Sequence, residues 1–331
     1  MNPPSPDTDF RPLPLLGNPH LQTVLGTLLF GTAFSAVSHP RLVRLADGDR
    51  LVAHDSAPSR WRPGDPIAVL IHGLTGSHRA SYVQRLSGQL LPRGLRVVRI
   101  DLRGAGQGFA LARRPYHAGC SDDVRAVLAA LRTWYPGSPL VVVGFSLGGN
   151  IALKLAGEAR DEPVPGLAAV AAVGPPIDLH RCLDLLRQPR NRFYETHFLR
   201  NLVALAHRRR RYFREPAPLR FPRGLTLQDF DELYTAPRAG FAGALDYYRR
   251  ASALPLIPRI AVPTLILTAR DDPFIAVEPF ESLRGLSAVE VRIVERGGHL
   301  GFLGWDGAGG IYWAERRVVE WVLRQVGRGP A

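Results

Sequence analysis

The stretch from 139 to 158, PLVVVGFSLGGNIALKLAGE, constrains this chain more than any other. Five apolar residues lead to Gly144, one serine stands between Phe145 and Leu147, and two glycines open a helical pattern. A buried strand that turns at once into a helix holds its turn residue clear of the sheet. The G-x-S-x-G spacing supplies the small neighbours, Gly144 and Gly148, that so sharp a turn requires. The following helix aims its first N–H groups at the same spot. Ser146 is therefore a candidate nucleophile as well as a turn residue.

The surroundings repeat the strand half of that unit. IAVLIH, LRVVRID and PLVVVGF are short apolar runs separated by helical patterns in SYVQRLSGQLLPRG and SDDVRAVLAALRTW. Apolar strands alternating with helices predict an α/β fold: a mainly parallel sheet covered by helices on both faces. Upstream, RLVRLADGDRLVAHDS reads as a hairpin turning at Asp47-Gly48, and Asn18-Pro19 suits the start of a helix. After GLAAVAAVGPP the rhythm stops. Residues 176–255 carry no strand pattern, and the sheet resumes with PTLILTARDDPF, AVEVRIVERGGHLGF and a closing helix. The expected organisation is a core from 1–175 and 256–331, interrupted by a helical cap or lid at 176–255. Such an insertion leaves and returns at one edge of a parallel sheet, over the strands' C-terminal ends.

A serine needs a base, and this elbow implies a chain order of acid and then histidine downstream. One strand ends at Asp271-Asp272 and the next runs into Gly297-Gly298-His299. In a parallel sheet both ends share an edge with Ser146, so His299 is the expected base and the aspartate pair the source of the acid. An acyl-transfer intermediate also needs two donors for its oxyanion. Leu147 N–H, beside the nucleophile, and Leu74 N–H, in the HGLTGS loop after the first parallel strand, are the candidates. His72 is read as a brace for that loop.

Other features exclude more than they assign. DLRGAGQG lacks the Lys-[Ser/Thr] ending of a phosphate loop, and His117 and Cys120 have no further ligand at metal spacing. No cofactor and no metal are expected. The net charge of +13 is almost all arginine, Lys154 being the only lysine. No nucleic-acid motif accompanies it, so no nucleic-acid partner is expected. Two cysteines in no paired spacing and an N-terminus without a signal-peptide layout point to a reducing cytoplasmic setting. The apolar stretch 21–37 is too short and polar to span a membrane and reads as a buried or interfacial helix. Within 176–255, Phe193, Tyr194, Phe198, Leu199, Leu202 and Val203 are expected to face the pocket. Arg208 to Arg211 form either the solvated end of that helix or a peripheral contact with anionic membrane.

In chain order, NPHLQT, HGLTGS, DLRGAG, YHAGCSDD, GFSLGGN, FDELYT, DYYRRAS, PTLIL, DDPF and GGHLGF resemble the YheT-like group of the α/β-hydrolase superfamily, which includes mammalian ABHD proteins. The likeness runs from residue 18 to about 325. It implies the α/β-hydrolase fold, a triad of Ser146, His299 and an acid, and action on carboxylic esters, medium-chain or lipid-like in their acyl part. In the superfamily the acid follows its strand in a G-x-x-D-like turn. Ala269 stands in the glycine's place here, which assigns Asp272. Thioesterase or acyltransferase chemistry on the same residues, and a non-catalytic lipid- or protein-binding role, are the alternatives.

Overall fold

Eight strands form one sheet in the order β1-β2-β4-β3-β5-β6-β7-β8. The computed structural model describes residues 10–28, 36–216 and 218–328. β1 (His39–Arg44) and β2 (Arg50–Ser56) are the expected hairpin. Its turn closes through Gly48 at φ 88°, a left-handed conformation that favours glycine. β2 runs antiparallel to β4 (Arg96–Asp101). From there β3 (Ile67–Ile71), β5 (Leu140–Phe145), β6 (Leu167–Val173), β7 (Thr264–Ala269) and β8 (Val289–Val294) are parallel.

The central strands are apolar throughout because both faces are covered. Ile67, Val69 and Ile71 pack with Val124, Val127 and Leu131 of α3 (Ser121–Trp134) and with Ile151 and Leu155 of α4 (Leu147–Glu158). Ala68 and Leu70, pointing the other way, meet Val83, Leu86 and Leu90 of α2 (Ser81–Leu90) and Val318 and Val322 of α11 (Trp313–Gln325). Each large aliphatic side chain removed from water this way contributes about 1.5–3 kcal/mol. This two-sided burial fixes the sheet, and with it the common edge where β3, β4, β5, β7 and β8 all end.

Between β6 and β7 no strand occurs among the described residues. The chain forms α5 (Leu179–Leu186), α6 (Arg192–Phe213), α7 (Leu227–Phe230), a π-helical turn at Asp231–Thr235, α8 (Ala236–Ala239) and α9 (Ala244–Ala251). A four-residue helix, α10 (Glu278–Glu281), follows β7. Asn150, buried on α4, ties this segment down: its amide donates to the carbonyls of Ala118 and Ala251, and its oxygen accepts from Ala253 N–H.

The reading of Arg208 to Arg211 as one surface needs correction. A helix turns about 100° per residue, so the run is divided: Arg208 and Arg211 are exposed, while Arg209 is 1% exposed. Its Nη2 donates to the carbonyl oxygens of Ala112 and Arg113 at 2.9 and 2.7 Å, pinning α6 to the loop after β4. Near the N-terminus the chain is helical in α1 (Pro19–Leu28), where Asn18 accepts from the N–H groups of His20 and Leu21. The remainder of the apolar stretch, residues 29–35, lies outside the described residues. No described helix is long and apolar enough to cross a membrane.

Candidate active site

β5 ends at Phe145, and Ser146 then takes φ 50° and ψ −122° before α4 begins. A non-glycine residue held there is strained, and the surroundings leave it no alternative. A Cβ on Gly144 would lie 2.1 Å from the carbonyl oxygen of Gly148, and one on Gly148 would lie 2.5 Å from that of Ile71. Ser146 N–H is held by the carbonyl of Val173 at 2.9 Å.

Ser146 Oγ lies 2.9 Å from His299 Nε2, and His299 Nδ1 lies 2.8 Å from Asp272 Oδ2. The other oxygen of Asp272 accepts from the N–H groups of Phe274 and Ile275, each at 3.1 Å. Both oxygens of this carboxylate, whose side chain is 1% exposed, are thereby fixed. Asp271 points elsewhere, accepting from Gly298 N–H at 2.9 Å, and its pKa is raised, first by burial and then by the charge of Asp272.

Leu74 and Leu147 line one cavity together with Ser146. Gly73 N–H donates to the Tyr82 hydroxyl at 2.9 Å and Thr75 N–H to that of Tyr116 at 2.6 Å, with Thr75 at φ 58°. These two bonds clamp the loop around Leu74. Among the described residues, neither Leu74 N–H nor Leu147 N–H has an acceptor. Burial lifts the Tyr82 hydroxyl to about 12 and raises that of Tyr116 as well, so both clamps are neutral. His72 braces the loop: Nδ1 donates to Gly73 O at 2.7 Å and Nε2 accepts from Leu102 N–H at 3.3 Å. Burial lowers its pKa, which suits a neutral imidazole ring bonded on both sides.

Three contributors were missed in the sequence. Thr23, on α1, accepts from His299 N–H at 2.9 Å. Gln22 beside it bonds both the N–H and the carbonyl of Leu303. Phe274 packs on the His299 ring, centroids 4.1 Å apart. The adjacent Gln and Thr inside an otherwise apolar helix, the HLQT motif, were the available signal.

Two cavities meet at Ser146, sharing Leu74, Phe198 and Phe274 in their walls. One, of about 140 Å³, lies beneath the helices that follow β6 and is lined chiefly by Leu179, Leu183, Leu186, Leu202, Phe230 and Ile275. The other is an open groove of about 1100 Å³ between α1, α2 and the start of α6. Of the six residues expected to face the pocket, Leu202 lines the smaller cavity, Phe193 and Tyr194 line the groove, and Phe198 lines both. Leu199 and Val203 do not; they pack on Phe230 and Tyr234 within the helical segment.

A second His and Asp cluster lies beneath the Leu74 loop. Asp101 accepts from His54 Nε2 at 2.9 Å, from His78 Nδ1 at 2.9 Å, from His78 N–H at 2.8 Å and from Gln107 N–H at 2.9 Å. The three side chains come close enough to share a cation. Every one of those contacts is already a hydrogen bond to the carboxylate, so the cluster is satisfied as it stands.

Residues 66–304 match the family of the alpha/beta hydrolase fold. The chain belongs to the α/β-hydrolase family. It is 33% identical over 323 residues to YheT of Escherichia coli (strain K12), covering 96% of this chain and 94% of that one. It is 28% identical over 242 residues to phospholipase ABHD3 of Mus musculus, covering 72% of this chain and 58% of ABHD3. The YheT-like and ABHD-type resemblance thus holds, though the chain matches little more than half the length of the mouse protein. The fold is shared with esterase Pf2001 of Pyrococcus furiosus, at a TM-score of 0.58, 18% identity, and coverage of 89% of this chain and 95% of that one.

Proposed function

We propose that this hydrolase cleaves carboxylic esters through an acyl-enzyme, with Ser146, His299 and Asp272 as its triad. The reading rests on the unbroken hydrogen-bond chain from Ser146 Oγ through His299 to Asp272, at 2.9 and 2.8 Å, beside two cavities. Asp272 accepts from Nδ1–H, which selects the tautomer whose Nε2 carries a lone pair toward the serine. Ser146 Oγ attacks the ester carbonyl carbon and its proton passes to Nε2. The N–H groups of Leu74 and Leu147 receive the oxyanion. The C–O bond to the alcohol then breaks, and the alcohol leaves with the proton from Nε2. Water repeats the sequence on the acyl-enzyme, releasing the acid and restoring Ser146.

Both cavities are mainly apolar; the smaller one, beneath the helices that follow β6, suits the acyl chain and the larger groove the alcohol, which makes medium-chain or lipid-like esters the favoured substrates. Similarity to a phospholipase is in keeping with this. Residues 176–255 act as a cap, because Leu183, Leu186 and Leu202 from that segment form the acyl wall. Hydrolysis of p-nitrophenyl esters from acetate to palmitate tests the assignment. Leu183→Trp should move the preferred chain length downward while leaving acetate turnover within about threefold. An unchanged length profile would remove the acyl chain from this cavity.

A further inference from the structure

α1 is amphipathic in the reverse of the usual sense. Its buried residues are Gln22, Thr23 and Gly26. The first two spend their polar groups on the loop carrying His299, and Gly26 lets the helix approach so closely that a Cβ there would lie 2.6 Å from Gly301 Cα. The polar face being needed inside, the apolar one is turned outward. Leu21, Val24 and Leu28, at i, i+3 and i+7, are 47%, 39% and 59% exposed. Phe193, 50% exposed on the neighbouring start of α6, extends the patch, with the His20 ring 5.8 Å away.

This patch forms the lip of the groove to Ser146, since Val24, Leu28 and Phe193 line it together with Arg79, Arg192 and Arg200. All three arginines are exposed, and among the described residues none has a carboxylate partner within 4 Å. Apolar side chains ringed by uncompensated cations match a surface that is apolar beneath and anionic on top. A second copy of the chain fits poorly. A two-fold contact would set the same arginines against their own copies on a chain of net charge +13, and a ten-residue helix falls well short of the roughly 800 Å² per partner of a stable dimer.

We infer that the outer face of α1, with Phe193 and the arginines Arg79, Arg192 and Arg200, docks on an anionic lipid surface so that the groove opens onto it. The inference builds on the proposed esterase reading. It moves any lipid contact from the Arg208–Arg211 run to the opposite end of α6.

Flotation with phosphatidylglycerol-containing and pure phosphatidylcholine vesicles tests it, using the Ser146→Ala protein so that binding is read apart from hydrolysis. Binding to the anionic vesicles should exceed binding to the neutral ones and should fall in 0.5 M salt, a concentration that screens charges beyond roughly 4–5 Å. Arg192→Gln with Arg200→Gln should weaken it about 30-fold, at roughly tenfold for each 1.4 kcal/mol and about 1 kcal/mol per basic residue. Leu21→Ser with Leu28→Ser should weaken it about tenfold on both vesicle types, without lowering the melting temperature, because neither side chain is buried. Arg208→Gln with Arg211→Gln should leave it unchanged. Equal binding by all variants, no binding at all, or a concentration-dependent dimer abolished by the leucine changes would each overturn the inference. Failure of the esterase reading would instead appear as absent turnover of soluble esters by the unmodified protein.

Discussion

Among the described residues, two buried clusters of histidine and aspartate are built from bonds of similar length and connected differently. In one, Asp272 holds a single imidazole at 2.8 Å, and that imidazole keeps its second nitrogen for Ser146. In the other, Asp101 takes four donors: two imidazoles, whose rings stack 3.5 Å apart, and two backbone N–H groups. The first chain ends at a strained serine on the wall of two cavities. The second ends on itself, with His54, His78 and Asp101 all buried. Short bonds among such residues therefore do not make a reactive site. What matters is a hydroxyl within reach of the second ring nitrogen, as Ser146 Oγ is at 2.9 Å from His299 Nε2, and a cavity beside it.

Asp272→Asn should cost about 10⁴ in kcat, because it reverses the donor role at His299 Nδ1, with the melting temperature little changed. Asp271→Asn should cost less than about tenfold, since Asp271 bonds the backbone of the Gly297-Gly298 turn and not the His299 ring. Steady-state kinetics on a soluble ester, with calorimetry beside them, check both. A larger loss at Asp271 would shift the acid by one residue.

Asp101 should show the opposite pattern. Asp101→Ala strands two histidines and two N–H groups, and should lower unfolding stability by about 3 kcal/mol or more, while kcat of the folded protein at 25 °C stays within about tenfold. Burial by itself would raise the Asp101 pKa, but the bonds from His54 and His78 outweigh it and hold the carboxyl well below the usual carboxylate range. A depressed folded-state pKa contributes stability that is complete above the unfolded value of about 3.9 and is lost as pH falls below it. The deficit of Asp101→Ala measured by denaturant unfolding should therefore shrink between pH 5 and pH 2. A deficit that grows on acidification, or a rate loss rivalling that of Asp272→Asn, would make the second cluster part of the chemistry.

Where the backbone dictates the residue, the sequence was legible. The glycines at 144 and 148 are required by approaches of 2.1 and 2.5 Å, so the elbow announced itself. The apolar strands on both sides predicted the parallel sheet, and its edge predicted which loops meet. Helix facing was harder to read. Periodicity assumes that apolar residues point inward, and α1 reverses the rule because the His299 loop needs Thr23 and Gln22 as partners. Arg209 went unseen for a related reason: nothing in a run of four arginines says which one finds two carbonyl oxygens on a neighbouring loop.

Labelling by a fluorophosphonate, located by mass spectrometry of the digested protein, tests whether Ser146 is the nucleophile. The reagent phosphonylates a serine only where a base and an oxyanion site activate it. A single adduct is expected, on Ser146, formed in step with the loss of esterase activity. Ser146→Ala should take no label and lose about 10⁶ in turnover, with its fold retained. An adduct on another serine, or ester hydrolysis persisting in Ser146→Ala, would contradict the account.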